Sequence, residues 1–374
     1  MNKYSIQKRN SSVEFIKLIA CLLIVFSHSF PRGIPTEAAP HLIDPTQATG
    51  NLQVFLLIVL KYLGQVGNAV FIVSSAFFLR RSSAVKMRKV FDIVRDSFLI
   101  SLFSLIVLLL IGWRFPLSTM VKQLIPITMN TNWFVGCYLL FYLIHPALNR
   151  LTETLDQRKL LGICIAVIIL YCGINFLLPG RFYYTQLVGF INIYLLVSYA
   201  DLYLPSWAVS RKGNAAVMVS SLVMLFGLIW TTNFLGLRIG ALSGMADWFS
   251  NISNPLIIAV GISAFGFART FHFESRTINS LSSLTLLIYL IHANDLIMDF
   301  VKPAFFANVY MAEGYGRLLY WCGLFGLMLL IGGVLLSVCY RFLADKLLVR
   351  ISDRIWNVVV SGWNRLLDAI LSWS

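Results

Sequence analysis

Charged residues are scarce in this chain of 374 residues. Only 12% of the residues are aspartate, glutamate, lysine or arginine, whereas 58% are hydrophobic, and the mean hydropathy is +0.79. A soluble domain usually contains about 25% charged residues. This composition excludes a water-soluble enzyme or binding module and predicts an all-α, polytopic membrane protein.

Cysteine is scarce as well, and its placement argues against the common metal and redox motifs. The six cysteines all lie in apolar runs, and none forms a CxxC pair or a spacing typical of zinc sites. We interpret them as small buried hydrophobic residues, and we predict no metal site. The sequence also shows no internal repeat and no second soluble domain.

What the sequence has in abundance is apolar stretches, ten of which approach the roughly 20 residues that a membrane-spanning helix needs. They lie at about 12–30, 62–79, 90–112, 132–149, 159–178, 184–204, 214–236, 255–271, 281–300 and 318–342. After them, apolar and polar residues alternate at helical spacing, which predicts an amphipathic helix lying on the membrane. We therefore predict a transmembrane domain at 1–343 and an amphipathic tail at 344–374.

Lysine and arginine are distributed unevenly between the two sets of connecting segments. With both termini in the cytoplasm, the inner segments hold three times as many of these residues as the outer ones. The positive-inside rule therefore predicts this orientation in a cell membrane. The same distribution explains the net charge of +14 by contact with the lipid bilayer rather than with nucleic acid. The absence of a convincing signal peptide favours a bacterial plasma membrane.

The first apolar stretch, VEFIKLIACLLIVFSHS at 13–29, contains three ionisable residues. Lys17 and His28 are three helical turns apart and share a face, and Glu14 lies about 40° from that line. Ionisable residues within a membrane usually face the bundle interior or a wet cavity. We predict that this stripe lines a cavity open to the cytoplasm, with His28 roughly 16 Å outward of Lys17. Alternatively, Glu14 and Lys17 extend to the interface and His28 is a polar cap.

Two helix ends carry further candidate residues. The second stretch ends in Arg80 and Arg81, and paired guanidinium groups suit phosphates through bidentate hydrogen bonds. Taken alone, they are more typical of a cytoplasmic anchor that follows the positive-inside rule. Asn132 and Trp133 begin the fourth stretch, at a position where tryptophan often marks the membrane interface.

The ninth stretch combines Tyr289 and His292 with Asn294 and Asp295 in an apolar setting. Polar groups in such a stretch are candidates for a functional site. The alternative is a packed polar network without a catalytic role.

Together these features resemble the membrane-bound acyltransferase 3 family of the polysaccharide O-acetyltransferase type. The shared parts are the Glu14–Lys17–His28 stripe, FFLRR ending the second stretch, WFVGCYLLFYLIHPALN in the fourth and YLIH in the ninth. The resemblance covers about residues 11–342. It implies a ten-helix core that moves an acyl group, usually acetyl, from cytoplasmic acyl-CoA to a hydroxyl group of a glycan outside.

The resemblance also implies roles for particular residues. His28 matches the family's catalytic histidine, and the acyl-CoA contacts fall on Lys17, Arg80 and Arg81, with Glu14 beside them. The family commonly has arginine at the position of Lys17, and lysine keeps the charge but lacks the guanidinium fork. Ser75-Ala76 stands where the family has Ser-Gly.

We therefore expect His28 to act as a general base that takes the proton of a sugar hydroxyl while it attacks the thioester. Acetyl-CoA or another acyl-CoA is the expected donor, and no metal is required. We assign the glycan acceptor to Asn132, Trp133, Tyr289 and His292. The acceptor sugar, the acyl group, a partner that completes the transfer and the oligomeric state are left open.

Two other functions compete with acyl transfer. A polysaccharide exporter also suits a bundle with a polar interior, although the sequence shows neither an inverted repeat nor a pair of broken helices. A membrane receptor, with His28 in a structural role, is the second alternative.

Overall fold

The computed structural model describes residues 10–30, 48–129, 131–174, 185–206, 208–236, 238–239, 251–307, 315–343 and 349–371. Within these ranges the chain consists of helices joined by turns, and no strand occurs. The prediction of an all-α membrane protein is confirmed. All the site residues predicted above lie in the described ranges.

The helices follow the apolar stretches of the sequence. They are α1 (Ser11–Ser29), α2 (Ala48–Leu79), α3 (Met87–Leu110), α4 (Leu117–Leu124), α5 (Trp133–Thr154), α6 (Gln157–Val167), α7 (Gln186–Tyr203), α8 (Arg211–Gly236), α9 (Pro255–Arg269), α10 (Arg276–Ser282), α11 (Thr285–His292), α12 (Lys302–Ala307), α13 (Tyr315–Leu343) and α14 (Val349–Leu371). A π-helical segment, Ile168–Gly173, extends α6, and another, Ile297–Val301, leads into α12.

Seven of the described helices are long and apolar enough to cross a membrane, namely α1, α2, α3, α5, α7, α8 and α13. The segment from α10 to α12 would form an eighth span that is bent by 56°. At the bend, the buried side chain of Asn294 accepts a hydrogen bond of 2.9 Å from the backbone N–H of Leu296 and so starts the next helical segment. The predicted stretches at 159–178 and 255–271 form shorter helices.

Hydrogen bonds fix which helix ends lie together. Asn10 caps α1 through the N–H of Ser12 and donates to the carbonyl oxygen of Phe271, which follows α9. Near the end of α5, Asn149 donates to the carbonyl oxygens of Leu79 and Ser82, at the end of α2. The start of α1 thus meets the end of α9, and the end of α2 meets the end of α5, as expected for helices of alternating direction.

The helix ends on this side carry most of the basic residues. We call this side the basic end, and it is defined by Arg80, Arg81, Lys89, Arg211 and Arg269. It corresponds to the side for which we predict contact with the cytoplasm. The other end of α1, with His28, lies at the opposite side of the bundle.

The second helix is the centre of the bundle, where it packs against α1, α7, α8 and α9. Its contact with α1 is close because Gly67 has no side chain. A Cβ atom at Gly67 would lie 2.5 Å from the carbonyl oxygen of Ala20. This close approach sets the position of the polar face of α1.

The tail forms the helix that the sequence predicts, and it contacts the start of α3. Asp353 forms an ion pair of 2.7 Å with Arg88, and the ring of Trp356 lies 5.4 Å from that of Phe91. Apolar side chains of α14 are exposed, among them Ile355 and Val358. The position of this exposed apolar face on the membrane surface remains a prediction.

Candidate functional site

Two histidines from distant parts of the chain meet near the end of α1. Nδ1 of His28 lies 3.2 Å from Nε2 of His292, the last residue of α11. The two rings are 5.2 Å apart at an angle of 38°. His292 is fully buried, whereas His28 is half-buried. The sequence predicted both as site residues but not that they touch.

The second nitrogen of His292 identifies the donor in this pair. Nδ1 of His292 lies 2.7 Å from the carbonyl oxygen of Ile288, which can only accept a hydrogen bond. Nδ1 therefore carries the proton, and in a neutral ring Nε2 is an acceptor. We infer that Nδ1–H of His28 donates to it. The lone pair of the His28 ring then lies on Nε2, the nitrogen that can take a proton from a substrate.

A buried lysine supports the same end of α1. The ammonium group of Lys302 donates to the carbonyl oxygens of His28 and Phe30, at 3.1 and 3.3 Å. The last carbonyls of a helix lack partners within the helix, and a positive charge there is favourable. Lys302 therefore holds the terminal turn that carries His28. Sequence reasoning did not assign it to the site.

A cavity of about 340 Å³ runs through the bundle from the basic end towards the two histidines. Five helices contribute to its wall. The lining residues are Lys17, Ile24, Asn68, Phe71, Ser74, Ser75, Phe78, Leu79, Lys89, Ile93, Phe134, Val135, Tyr138, Thr285, Leu286 and Tyr289. Ile24 precedes His28 by one helical turn, and Tyr289 precedes His292 by about one turn. A cavity therefore lies beside α1, but Lys17 is the one residue of the predicted stripe that lines it, whereas Glu14 and His28 do not.

The stripe of α1 begins in a buried polar cluster beside this cavity. Lys17 forms an ion pair of 2.7 Å with Glu14, and the hydroxyl of Ser282 donates to the same carboxylate at 2.5 Å. Lys17 lines the cavity, whereas Glu14 is buried behind it. Glu14 therefore fixes the ammonium group of Lys17 at the cavity wall.

A second lysine, Lys89, which was not among the predicted site residues, also lines the cavity. Lys89 donates to the hydroxyl of Tyr138 at 2.7 Å. Its ammonium group lies 4.6 Å from the ring centre of Tyr142, a distance typical of cation–π contacts. Lys17 and Lys89 thus place two positive charges on the wall of one cavity.

The two arginines that the sequence predicts at the site have a different partner from the two lysines of the cavity wall. Arg80 and Arg81 both form ion pairs with Asp201 of α7, the latter through two hydrogen bonds of 2.8 and 2.9 Å. Neither arginine lines the cavity that contains Lys17. The structure therefore does not bring them together with the rest of the predicted site.

Two of the predicted acceptor residues, Trp133 and Tyr289, contact one aromatic side chain, Phe134. Its ring is 5.5 Å from those of Trp133 and Tyr289. Asn132 is buried, and its side-chain amide makes no hydrogen bond within the described ranges. Phe134 and Tyr289 line the cavity, whereas Trp133 packs behind them, so these two rings form the wall away from the basic end.

A comparison with known protein families finds a match over most of the chain. A model described as an acyltransferase domain matches residues 10–337, from the cap of α1 to the last part of α13. No curated protein matches the chain, and no solved structure does. The matched range includes the histidine pair and the whole cavity, and it excludes α14.

Proposed function

The chain belongs to the acyltransferase 3 family, whose domain model covers residues 10–337, and from this premise we propose that it is a membrane O-acyltransferase. The donor is cytoplasmic acyl-CoA, with acetyl as the expected acyl group. The acceptor is a hydroxyl group of a cell-surface or lipid-linked glycan. The protein is a multi-pass membrane protein, so it can join two substrates that approach from opposite sides.

The observation that carries this proposal is the position of the histidine pair relative to the cavity. The basic wall of the cavity contains Lys17 and Lys89, and its other part ends one turn from His28 and His292. Lys17 and His28 are separated by roughly 16 Å along α1. An elongated substrate with an anionic end and a neutral reactive end matches that arrangement, and acyl-CoA is such a substrate.

His28 acts as the general base in this proposal. The acceptor oxygen attacks the carbonyl carbon of the thioester, and Nε2 of His28 takes the hydroxyl proton. The bond between carbon and sulfur then breaks, and the acyl group remains on the sugar oxygen as an ester. The same proton passes from His28 to the departing thiolate, which leaves as the CoA thiol.

His292 is a positioning residue rather than a catalytic one. Its hydrogen bond to Nδ1 of His28 holds the imidazole in the tautomer with the lone pair on Nε2. The same bond stabilises the imidazolium that forms when His28 is protonated, as an orienting group does behind a histidine base. The glycan contacts that we expected for His292 therefore fall to Tyr289, Trp133 and Asn132.

We assign binding of the phosphate groups of acyl-CoA to Lys17 and Lys89. Both ammonium groups line the cavity, and charge-assisted hydrogen bonds to phosphate are stronger than neutral ones. Lys89 also has aromatic neighbours, Tyr138 and Tyr142, on which the adenine ring of CoA can stack. Arg80 and Arg81, by contrast, are held by Asp201 outside this cavity.

Asn132 supports the assignment of the acceptor side. A buried amide without hydrogen bonds is costly, by about 1–3 kcal/mol, and a sugar hydroxyl that binds there would remove that cost. Aromatic side chains such as Trp133 and Tyr289 offer flat surfaces to a sugar ring. The exporter alternative requires neither a base nor a site for acyl-CoA.

The direct test uses purified protein with acetyl-CoA labelled in the acetyl group and with the cell-envelope glycan fraction of the source cells. We expect label in the glycan that mild base releases as acetate. The matched control is His28→Ala, which should lose transfer by a factor of about 10² to 10⁴ at unchanged protein abundance. Unlabelled glycan with the native protein, or full labelling by His28→Ala, would contradict the proposal.

A further inference from the structure

A second cavity, of about 330 Å³, lies at the basic end on another face of α2. Val73 and Phe77 contribute to its wall, whereas the first cavity is lined by Ser74, Ser75 and Phe78. The second helix therefore separates the two cavities. The acyl-transfer mechanism proposed above does not use this second cavity.

Three guanidinium groups converge on one carboxylate in the wall of this cavity, and of the three arginines Arg269 lines the cavity while Arg80 and Arg81 lie beside it. Asp201 lies in its wall and forms ion pairs with Arg80 and Arg81, and Arg269 lies 3.9 Å from the same carboxylate. Asp201 is 12% exposed, whereas the side chains of Arg81 and Arg269 are each 44% exposed. The cluster therefore has a surplus of positive charge, and two of its arginines face outward.

The two exposed arginines, Arg81 and Arg269, are held in place, yet they can still donate further hydrogen bonds. The guanidinium carbons of Arg81 and Arg269 lie 3.7 and 3.9 Å from the ring centre of Phe77. Nε of Arg80 is buried and has no acceptor within the described ranges. Stacking fixes a guanidinium plane but leaves its N–H groups available. The cluster can therefore donate further hydrogen bonds to an anion.

A fourth arginine lies at the edge of the same space. Arg211 donates to the hydroxyl and carbonyl oxygens of Thr270, which lines the cavity, at 3.3 Å each. The remaining wall is largely apolar, and its members Leu204 and Val209 are exposed at the surface. The site thus combines clustered guanidinium groups with apolar surface.

We propose that this cavity binds the phosphate group of an anionic membrane lipid. Arg81 and Arg269 contact the phosphate, because they are the exposed members of the cluster and guanidinium forks suit phosphate oxygens. The apolar wall contacts the glycerol and the first part of the acyl chains. That wall favours a lipid over a free phosphate, which has no apolar part to bury. The proposal is independent of acyl transfer.

The test compares lipids by native mass spectrometry of the purified protein. At equal concentrations, we expect phosphatidylglycerol to remain bound and phosphatidylcholine to be lost. Arg269→Gln should weaken phosphatidylglycerol binding about ten- to a hundredfold, the range that corresponds to one lost charge-assisted hydrogen bond. The matched control is Arg238→Gln, since Arg238 also lies on an aromatic ring, that of Phe234, but follows the far end of α8.

Two soluble phosphates serve as competitors in the same experiment. Inorganic phosphate or CoA that displaces the lipid at equal concentration would assign the site to a soluble anion instead. Equal retention of both lipids, or unchanged binding by Arg269→Gln, would overturn the proposal outright. If Arg269→Gln does not fold, Arg269→Lys keeps the charge without the fork, and it should bind phosphatidylglycerol less tightly than the native protein. Unchanged binding by that variant would equally overturn the proposal.

Discussion

The imidazole of His28 donates a hydrogen bond to that of His292 across 264 positions of sequence, with 3.2 Å between the two nitrogens. Each ring comes from a helix end near the same side of the bundle. The backbone oxygen of Ile288 orients His292, and Lys302 supports the turn that carries His28. The base proposed for acyl transfer is therefore held from two sides.

Replacement of His292 by alanine should lower the turnover number by at least roughly 10²-fold, the lower bound for a working general base. The reason is that Nδ1 of His28 loses the acceptor that fixes its tautomer. The KM for acyl-CoA should stay unchanged, since His292 does not line the cavity. Steady-state kinetics over a range of acetyl-CoA concentrations separate the two parameters.

His292→Gln is the matched control, because its amide oxygen can accept the same hydrogen bond. It should recover part of the turnover that His292→Ala loses. A raised KM with an unchanged turnover number in His292→Ala would instead give His292 the substrate-binding role that the sequence suggested.

Lys17→Met should raise the KM for acyl-CoA by about ten- to a hundredfold, the loss expected for one charge-assisted hydrogen bond. Lys17→Arg should remain near the native value, since it keeps the charge. Lys17→Met also leaves the buried carboxylate of Glu14 without its 2.7 Å ion pair. The measurement is the rate at which base-releasable acetate appears in the glycan over a range of acetyl-CoA concentrations, normalised to enzyme abundance.

The double variant Glu14→Gln/Lys17→Met separates these two effects. It removes the carboxylate that Lys17→Met deprives of its ion pair, so a loss of activity that comes from Glu14 alone should be reversed. We expect the KM of the double variant to stay high. Native kinetics in the double variant would mean that Lys17 only neutralises Glu14.

Lys89→Gln should weaken acyl-CoA binding about tenfold, because its ammonium group lies in the cavity beside Tyr138. Its neighbour provides the control. Arg88 is held by Asp92 and Asp353 and does not line the cavity, so Arg88→Gln should bind acyl-CoA as the native protein does. Isothermal titration with CoA measures the affinity of both variants. Equal effects of the two substitutions would mean that Lys89 contributes only through the general charge of the surface.

Gly67→Ala should lower both the thermal midpoint and the activity. Alanine favours a helix by about 1 kcal/mol over glycine, so propensity alone predicts stabilisation. The new Cβ would lie 2.5 Å from the carbonyl oxygen of Ala20, and backbone cannot move away without displacing α1. Gly227→Ala, with no atom within 4 Å of its Cβ, is the control that should be neutral or stabilising. Identical thermal midpoints for the two variants would show that α1 and α2 can move apart without a loss of stability.

The helices and the interior direction of the polar stripe could be predicted from the sequence. Hydropathy locates helices because each segment must satisfy its own backbone in lipid, and a 3.6-residue period reports which residues share a face. Glu14 is buried and Lys17 lines the cavity accordingly. Neither hydropathy nor the 3.6-residue period depends on which other helix packs against the polar face.

The partners across the bundle could not be predicted, for the same physical reason. Asp201 lies in an unremarked part of the sequence, yet it is the group that holds Arg80 and Arg81. Lys89 and Arg88 are adjacent in sequence, but successive helix positions differ by about 100°. One lysine therefore reaches the cavity and its neighbour reaches the tail. Such assignments depend on tertiary packing, which a single sequence does not encode in its periodicity.

During synthesis, the polar groups of α1 can form their hydrogen bonds only after the residues that bind them have been made. Ser282, which binds the carboxylate of Glu14, follows it by 268 residues, and His292, which contacts the imidazole of His28, follows it by 264. At about 5–20 residues per second, the ribosome needs roughly 15–50 s to make that interval. During this time α1 is in the membrane with a carboxylate and an imidazole that lack these partners. The helix that carries the proposed base therefore completes its contacts only when the last third of the chain has been inserted, and a protein interrupted before that point would leave a target for membrane quality control.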